Sequence, residues 1–486
     1  MVIARKIAYN VLVSTVSKIL ATVLALVSIG LITRYLGKNG FGDYATVMAF
    51  FAFFGAVGDL GLYTVSTREI SRPGADASKI MSNVFTMRIL ISFSIMLASP
   101  VLIIFFPYPQ EVKYAIIIIA ASFLFSSAYQ VLNGVFQKNL AIDKIAISEL
   151  TGKVLQVALV AMAVKYDLGF QWVISPLLFY MILSFSMILF WSRKYIKLRI
   201  RFDFDYWKKI LKESYPIGIV AIITFVYFKI DTIILSVMKS SADVGIYNAA
   251  YKVIENISFF PGMIIGLIFP IMSQHIFSDR EKFRDISDKT FKIFVILVVP
   301  LVIGTMFLSE GIIGLIGGIG FDQSANVLRI LAFSLAFIFF GNFFNAVIIS
   351  ANYQKKLMYV LVFAAVFNVT ANLLLIPSSS KPYFSAAYVA AFTEFIVAFS
   401  TFYIVVKKVN YCPKAEKFWA IVVSGIAMAA FLFIFGDINF FARAFGATFV
   451  YIIFLWLLKA VRTEEIKSII SKKGVSSGAT ESAGIS

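Results

Sequence analysis

Residues Ser192 to Ser214 read SRKYIKLRIRFDFDYWKKILKES. Eight of them are basic: Arg193, Lys194, Lys197, Arg199, Arg201, Lys208, Lys209 and Lys212. Apolar segments long enough to cross a bilayer lie on both sides. Lys- and Arg-rich loops stay on the cytoplasmic side of a membrane, so this linker predicts its own location and the orientation of the spans around it. Six candidate spans precede it and eight follow. The expected arrangement is two bundles that move against each other, joined by a basic cytoplasmic linker.

Composition points the same way. Of 486 residues 60% are hydrophobic and 14% charged, against about 25% charged in a typical soluble domain. The mean hydropathy is +0.89. A soluble core cannot bury this much apolar surface, so lipid must cover it. The net charge of +18 would suggest nucleic acid in a soluble protein. Here the cations gather in loops, no basic patch is interleaved with aromatics in the RNA-binding manner, and no nucleic-acid partner is expected. One cysteine, Cys412, excludes an internal disulfide framework and a CxxC metal site. One histidine, His275, leaves little for zinc or His-based catalysis, and no metal or other cofactor is expected.

A span needs about 20 mostly apolar residues. Such runs lie near 8–33, 44–66, 83–106, 114–136, 146–165 and 172–192, and after the linker near 214–238, 247–272, 289–309, 325–350, 356–376, 384–406, 417–436 and 440–461. The first is too long for a cleaved signal peptide. The Gly-rich piece Gly311 to Gly320 is too short to cross, and reads as the end of the ninth span or a re-entrant turn. With the N-terminus inside, Lys and Arg on the inner side outnumber those on the outer side by roughly five to one. The predicted fold is an all-α integral membrane protein of about 14 transmembrane helices, two six-helix lobes plus two C-terminal helices. Its parts are a first lobe over 1–192, the linker over 193–213, a second lobe over 214–406, two additional helices over 407–461 and a disordered cytoplasmic tail over 462–486. Both termini are expected in the cytoplasm of a cell-membrane protein.

Transporters are often built from duplicated bundles. Gly42 and Tyr44, opening the second span, map onto Gly245 and Tyr247, opening the eighth, at an offset of 203 residues. The pieces Arg34-Tyr35-Leu36-Gly37, Phe41-Gly42-Asp43-Tyr44 and Asp59-Leu60-Gly61-Leu62 resemble the first hairpin of Wzx-type polysaccharide flippases. Asp231, Gly245-Ile246-Tyr247, Ala249-Ala250-Tyr251-Lys252 and Phe269-Pro270 resemble the second half of the same family. The resemblance covers roughly residues 1 to 460. It places the chain in the superfamily that includes MATE exporters and the MurJ lipid II flippase. It implies two six-helix lobes around a central cavity, alternating access, a polyprenyl-linked oligosaccharide as cargo, and membrane lipids and glycan polymerases or glycosyltransferases as partners.

An ionisable residue deep in a span is a functional candidate. Lys18, Arg88, Lys153, Lys229 and Lys252 are the intramembrane cations, and Asp59, Glu149, Asp231, Glu255 and Glu394 the anions. Glu149 and Lys153 share a helix face, and Lys252 and Glu255 can pair locally. Lys229 and Asp231 stand about 200° apart around a helix and cannot face one another. Lys18 and Arg88 have no acid within a turn of their own helix. Each needs a partner from elsewhere, either Asp59 or something that is not protein. These two are the leading contacts for lipid phosphate, with Lys153, Lys229 and Lys252 as further candidates. Arg34 matches the family's Arg at the end of the first span, as an interface anchor or an outer-mouth contact. Tyr227 and Asn248 suit sugar contacts. Asp59, Asp231, Glu255 and Glu394 are candidates for ion coupling or ion pairing.

Two other function classes fit the hydropathy. A MATE-type exporter usually carries an acid in its first helix, where this chain carries Lys18. A membrane glycosyltransferase or polymerase needs acidic residues on a sizeable outer loop, and the outer loops here are short. Asp203-Phe204-Asp205 is a DxD, but it lies in the inner linker and reads as a solvated helix start. No Walker sequence is present, so this chain does not itself use ATP. The expected molecule is a transporter and not an enzyme.

Overall fold

The computed structural model describes residues 2–318 and 320–461, and among these holds helices and no strand. The helices are α1 (Val2–Asp59), α2 (Leu62–Ile70), α3 (Ala77–Ile104), α4 (Gln110–Lys138), α5 (Ile142–Lys165), α6 (Phe170–Ile174), α7 (Pro176–Ser192) and α8 (Phe204–Met238). They continue as α9 (Ser241–Ile257), α10 (Phe259–Ser278), α11 (Arg280–Ile316), α12 (Asp322–Ser350), α13 (Gln354–Ser378), α14 (Pro382–Lys408), α15 (Phe418–Ile434) and α16 (Phe440–Leu457). The expected tail over 462–486 lies outside the described residues.

Among the described residues, twelve segments are long and apolar enough to cross a membrane. The first, Val13–Asp59, is 47 residues long and contains the first two expected spans. They divide at Gly37, whose φ of 62° and ψ of −175° are not helical. Phe418–Ile434 is a shorter apolar helix of 17 residues. All fourteen expected spans are thereby found as helices.

One expectation is corrected. The second span does not run to residue 66. It ends at Asp59, because Leu60 and Gly61 take positive φ (46° and 71°), and α2 then starts as a separate short helix. Hydropathy missed the break because Leu60 and Leu62 keep the run apolar. Of the two readings of the Gly-rich piece from Gly311, the structure shows the end of the ninth span, since α11 continues to Ile316.

The chain forms two compact units. The first comprises Met1–Asn256, Ile312–Ile330 and Met358–Thr393. Its centre is α4, which buries small and hydroxyl residues, Ala120, Ser122, Ser126, Ser127, Ala128 and Gly134, and so lets α1, α3 and α7 approach closely. Gly42 on α1 and Gly245 on α9 cross backbone to backbone, and Gly61 and Gly218 make a second such approach. Glycine is required at Gly42, because a Cβ there would stand 1.7 Å from the Ser241 carbonyl oxygen.

The basic linker belongs to this unit and is not a loose tether. Residues 196–203 run extended along α3. Lys197 N donates to Ser78 Oγ (3.1 Å), Arg199 N to Ser82 Oγ (3.1 Å) and Arg201 N to Thr86 Oγ1 (3.0 Å). Two extended residues advance about 6.6 Å and four helical residues about 6.0 Å, so every second linker amide meets every fourth α3 residue. Asp203 caps α8 by accepting from Tyr206 N at 3.0 Å, which makes the DxD a helix start as expected. Trp207 Nε1 donates to Asn83 Oδ1 at 3.2 Å, and Ile196 and Ile210 bury against Met81, Val84 and Met87.

The second unit comprises Ile257–Gly311, Leu331–Leu357 and Glu394–Ser486. Its interior includes stacked and edge-on phenylalanines, Phe291, Phe294, Phe339, Phe343 and Phe344. The Tyr451 hydroxyl of α16 donates to the Ile296 carbonyl at 2.9 Å, and Gly425 of α15 seats against Val299. Tyr411 donates to Asp288 at 2.6 Å and fixes the loop that leads to α15.

Candidate functional site

Four of the predicted cations form one electrostatic group in the first unit. Lys18 stands exposed on α1, Lys153 half-buried on α5, Lys229 on α8 and Lys252 on α9. Lys153 lies close enough to Lys18 and Lys252 to feel both charges. Its Nζ donates to Gln156 Oε1 at 2.8 Å and sits 5.5 Å from the Tyr180 ring centre. The expected partner Glu149 is not the one bonded, since it accepts instead from the Tyr129 hydroxyl at 3.3 Å. The glutamine brings no charge of its own, and Glu149 opposes the lysine's charge without bonding it.

Lys229 and Lys252 share one carboxylate. Lys229 Nζ stands 2.5 Å from Glu255 Oε1, and Lys252 Nζ 2.7 Å from Glu255 Oε2. The local pair expected between Lys252 and Glu255 is present, with Lys229 added from α8. These side chains remain 18%, 20% and 36% exposed, so all three reach a surface. Lys229 also feels Asp231, so four lysines against Glu149, Glu255 and Asp231 leave one net positive charge at the group. Sequence spacing showed each cation but not their convergence, because α1, α5, α8 and α9 meet only in the fold.

Arg88 behaves differently and corrects an expectation. It is fully buried, with Nη1 3.0 Å from Asp59 Oδ1 and 2.7 Å from the Gly58 carbonyl, and Nη2 3.2 Å from Gln130 Oε1. Of the two partners weighed for it, the structure shows the protein one. The helix break after Asp59 leaves terminal carbonyls without intrahelical partners, and a cation there both caps the end and balances the carboxylate. Arg88 therefore holds the break in place and is not presented to a ligand in this structure. Asp59 is its counter-ion, and its other oxygen accepts from Gly61 N at 3.3 Å.

Arg34 caps a helix in the same way. Its guanidinium donates to the carbonyls of Leu315 (2.8 Å) and Gly314 (3.3 Å), in the last turn of α11. Tyr227 and Asn248, expected as sugar contacts, are both buried, and Asn248 accepts from Thr232 Oγ1 at 3.1 Å.

Asp231 heads a separate polar network. Its Oδ2 accepts from the Tyr247 hydroxyl at 2.9 Å and its Oδ1 from Asn372 Nδ2 at 2.7 Å. Asn372 also bonds Asn368, and Asn368 reaches Thr393 Oγ1 at 3.4 Å. Asp231 is 3% exposed, and the buried Asn372 Oδ1 accepts no hydrogen bond. The expectation that Lys229 and Asp231 cannot face one another agrees with their separate partners. Asn368 and Asn372 were missed. Their i, i+4 spacing within an apolar span was the available signal. Glu394, on α14, is half-buried and belongs to the second unit. Among the described residues no group of three or more His, Cys, Asp or Glu is placed to hold a metal ion.

Comparison with known proteins bears on this arrangement. The polysaccharide biosynthesis protein family matches residues 7–276, more than half of the chain. The chain belongs to that family. The MatE family matches residues 216–374. Capsular polysaccharide biosynthesis protein CapF of Staphylococcus aureus is 25% identical over 296 residues, covering 59% of this chain and 73% of CapF. An uncharacterised membrane protein of Methanocaldococcus jannaschii, MJ1068, is 24% identical over 280 residues, covering 54% of each chain. Lipid II flippase MurJ in an inward closed conformation superposes with a TM-score of 0.74 at 16% identity, covering 95% of this chain and 100% of MurJ. An inward-facing multidrug resistance MATE family transporter gives 0.67 at 16% identity, covering 80% and 94%. At such identities the likeness shows the fold: this polysaccharide biosynthesis family member is a multi-pass membrane protein with the MurJ and MATE helix arrangement.

For a member of this family the geometry separates three tasks. The Arg88–Asp59 and Arg34–α11 contacts hold broken or ending helices. The four-lysine group offers more positive than negative charge. The Asp231 network presents a buried carboxylate held by neutral donors, while the nearest lysine bonds elsewhere.

Proposed function

We propose that the chain is a flippase that carries a polyprenyl-phosphate- or diphosphate-linked oligosaccharide from the inner to the outer leaflet by alternating access. The four-lysine group carries this reading. Such a cargo joins an anionic phosphate, a polar glycan and an isoprenoid tail. Its headgroup cannot enter hydrocarbon unaided, because each unpaired polar group costs roughly 2–7 kcal/mol. Lys18, Lys153, Lys229 and Lys252 replace water around the phosphate, while the tail stays in lipid. Arg88 supports the site by fixing the end of α1, and is a positioning residue.

The same reading puts the linker and both termini in the cytoplasm of a cell membrane, with residues 1–192 and 214–406 as the moving halves. Glycan polymerases or glycosyltransferases are the partners that would supply or consume the cargo. Asp231 is the coupling group: a buried carboxylate held only by neutral donors gains from a proton or a monovalent cation.

A cation-coupled multidrug exporter is the second reading, favoured by the Asp231 network. The net positive lysine group disfavours cationic drugs and decides for the anionic lipid. Reconstituted vesicles with a labelled polyprenyl-diphosphate sugar test the choice. The proposal expects translocation by the intact chain and its loss in the Lys229→Gln/Lys252→Gln variant. Translocation of a cationic dye in place of the lipid would favour the exporter.

A further inference from the structure

The linker strap presents a surface that the transport site does not use. Its backbone amides at Lys197, Arg199 and Arg201 are bonded to α3, so the phase of its side chains is set. In the even phase, Ile196 is buried and Leu198 packs against the same core, but Ile200, Phe202 and Phe204 run off its edge and are 74%, 59% and 70% exposed. In the odd phase, Arg199 and Arg201 are exposed, as are Lys208 and Lys209 on the first turns of α8. The register also gives depth. From Ser78 to Thr86 the strap climbs eight residues of α3, about 12 Å at the helical rise. Arg201 therefore stands level with the start of the apolar run of α3.

Exposed aromatic and aliphatic side chains at that depth, interleaved with arginines, match the two chemistries of a phospholipid surface: acyl chain and anionic headgroup. We propose that the strap from Arg199 to Lys209 is a docking strip for anionic phospholipid. Ile200, Phe202 and Phe204 enter the acyl boundary, and Arg199, Arg201, Lys208 and Lys209 hold the phosphates. The strip is rigid before lipid arrives, because its amides are already engaged, so little ordering cost remains for binding. It also ties the start of α8 to the membrane surface on its own side, beside α3.

Lipid retention tests this independently of transport. The full chain is placed in phosphatidylcholine nanodiscs containing a minor fraction of phosphatidylglycerol, and the lipids kept on detergent extraction are counted by mass spectrometry. The intact chain is expected to enrich phosphatidylglycerol several-fold over the bulk ratio. Arg199→Gln/Arg201→Gln, which leaves the backbone bonds untouched, is expected to lose most of that enrichment while keeping the detergent melting temperature. Arg199→Lys/Arg201→Lys is expected to retain it. A nitroxide at acyl carbon five should quench a fluorophore at Phe202→Cys in a Cys412→Ser background. Equal enrichment in the Gln variant would overturn the proposal, as would an unquenched Phe202→Cys label. Displacement of phosphatidylglycerol by inorganic phosphate at matched concentration would overturn it in favour of a free-anion site.

Discussion

Gly42 on α1 and Gly245 on α9 meet backbone to backbone. A Cβ on Gly42 would fall 1.7 Å from the Ser241 carbonyl oxygen, and one on Gly245 would fall 2.0 Å from the Lys38 carbonyl oxygen. Further along, a Cβ on Gly61 would fall 2.5 Å from the Ser214 carbonyl oxygen, and one on Gly218 would fall 2.7 Å from Leu60 Cα. The second arm of α1 is therefore clasped by residues of α8 and α9 at both of its ends. Side chains at these crossings force the helices apart. Gly42→Val and Gly218→Val should each lower stability by about 1–3 kcal/mol, the usual cost of overpacking. Thermal unfolding in detergent measures this, with Gly55→Ala as the control, since nothing lies within 4 Å of a Cβ there.

The Arg88–Asp59 contact should dominate the stability of the first unit. Arg88→Ala leaves the Gly58 carbonyl and a largely buried carboxylate unpartnered. Asp59 is 24% exposed, so the loss should sit near the lower end of the range for broken buried pairs, about 3 kcal/mol. Arg88→Leu combined with Asp59→Asn should recover part of it. Chemical denaturation of the purified variants reads both effects. A ligand-contact role would leave stability unchanged and alter substrate binding alone.

Asp231→Asn keeps the side chain's shape and an oxygen that accepts from Tyr247, and turns its NH2 toward Asn372, whose unpartnered Oδ1 accepts from it once that amide turns over. The expected result is a folded protein whose translocation no longer responds to an imposed proton or sodium gradient. Asn372→Ala, which removes a donor to Asp231 and an unpartnered acceptor together, should weaken the response in the same direction. Vesicles with and without each gradient separate the two ions.

Glu255→Gln tests how the lysine pair is tuned. Glu255 serves Lys229 and Lys252 at once, so its neutral replacement raises the net charge at the group by one. Binding of an anionic headgroup should tighten several-fold and release should slow. Equilibrium binding and turnover, measured together, should move in opposite directions.

Most of the architecture was legible because lipid imposes it. Fourteen apolar runs and a strong charge asymmetry leave few alternatives for helices in a bilayer. What escaped was local or convergent. The stop at Leu60 and Gly61 lies inside an apolar run, and only backbone dihedrals reveal it. Helical phase alone separated Lys229 from Asp231, and the fold sends them to Glu255 and to Tyr247 with Asn372. The same reasoning left Arg88 open between Asp59 and a ligand, because which neighbouring helix it meets is a tertiary fact. Asn368 and Asn372 resemble any polar pair on a helix until Asp231 arrives from α8. The linker read as a topological marker, and its zipper to Ser78, Ser82 and Thr86 depends on a match between strand and helix rise that composition does not display.

The claim on which the account rests is that Lys18, Lys153, Lys229 and Lys252 hold the anionic end of a lipid-borne cargo. The direct measurement is leaflet-to-leaflet translocation of a labelled polyprenyl-diphosphate sugar by Lys229→Gln/Lys252→Gln, in vesicles matched for folded protein. The account predicts at least a tenfold fall in rate, about 1.4 kcal/mol, with an unchanged melting temperature. Translocation at the intact protein's rate would contradict it.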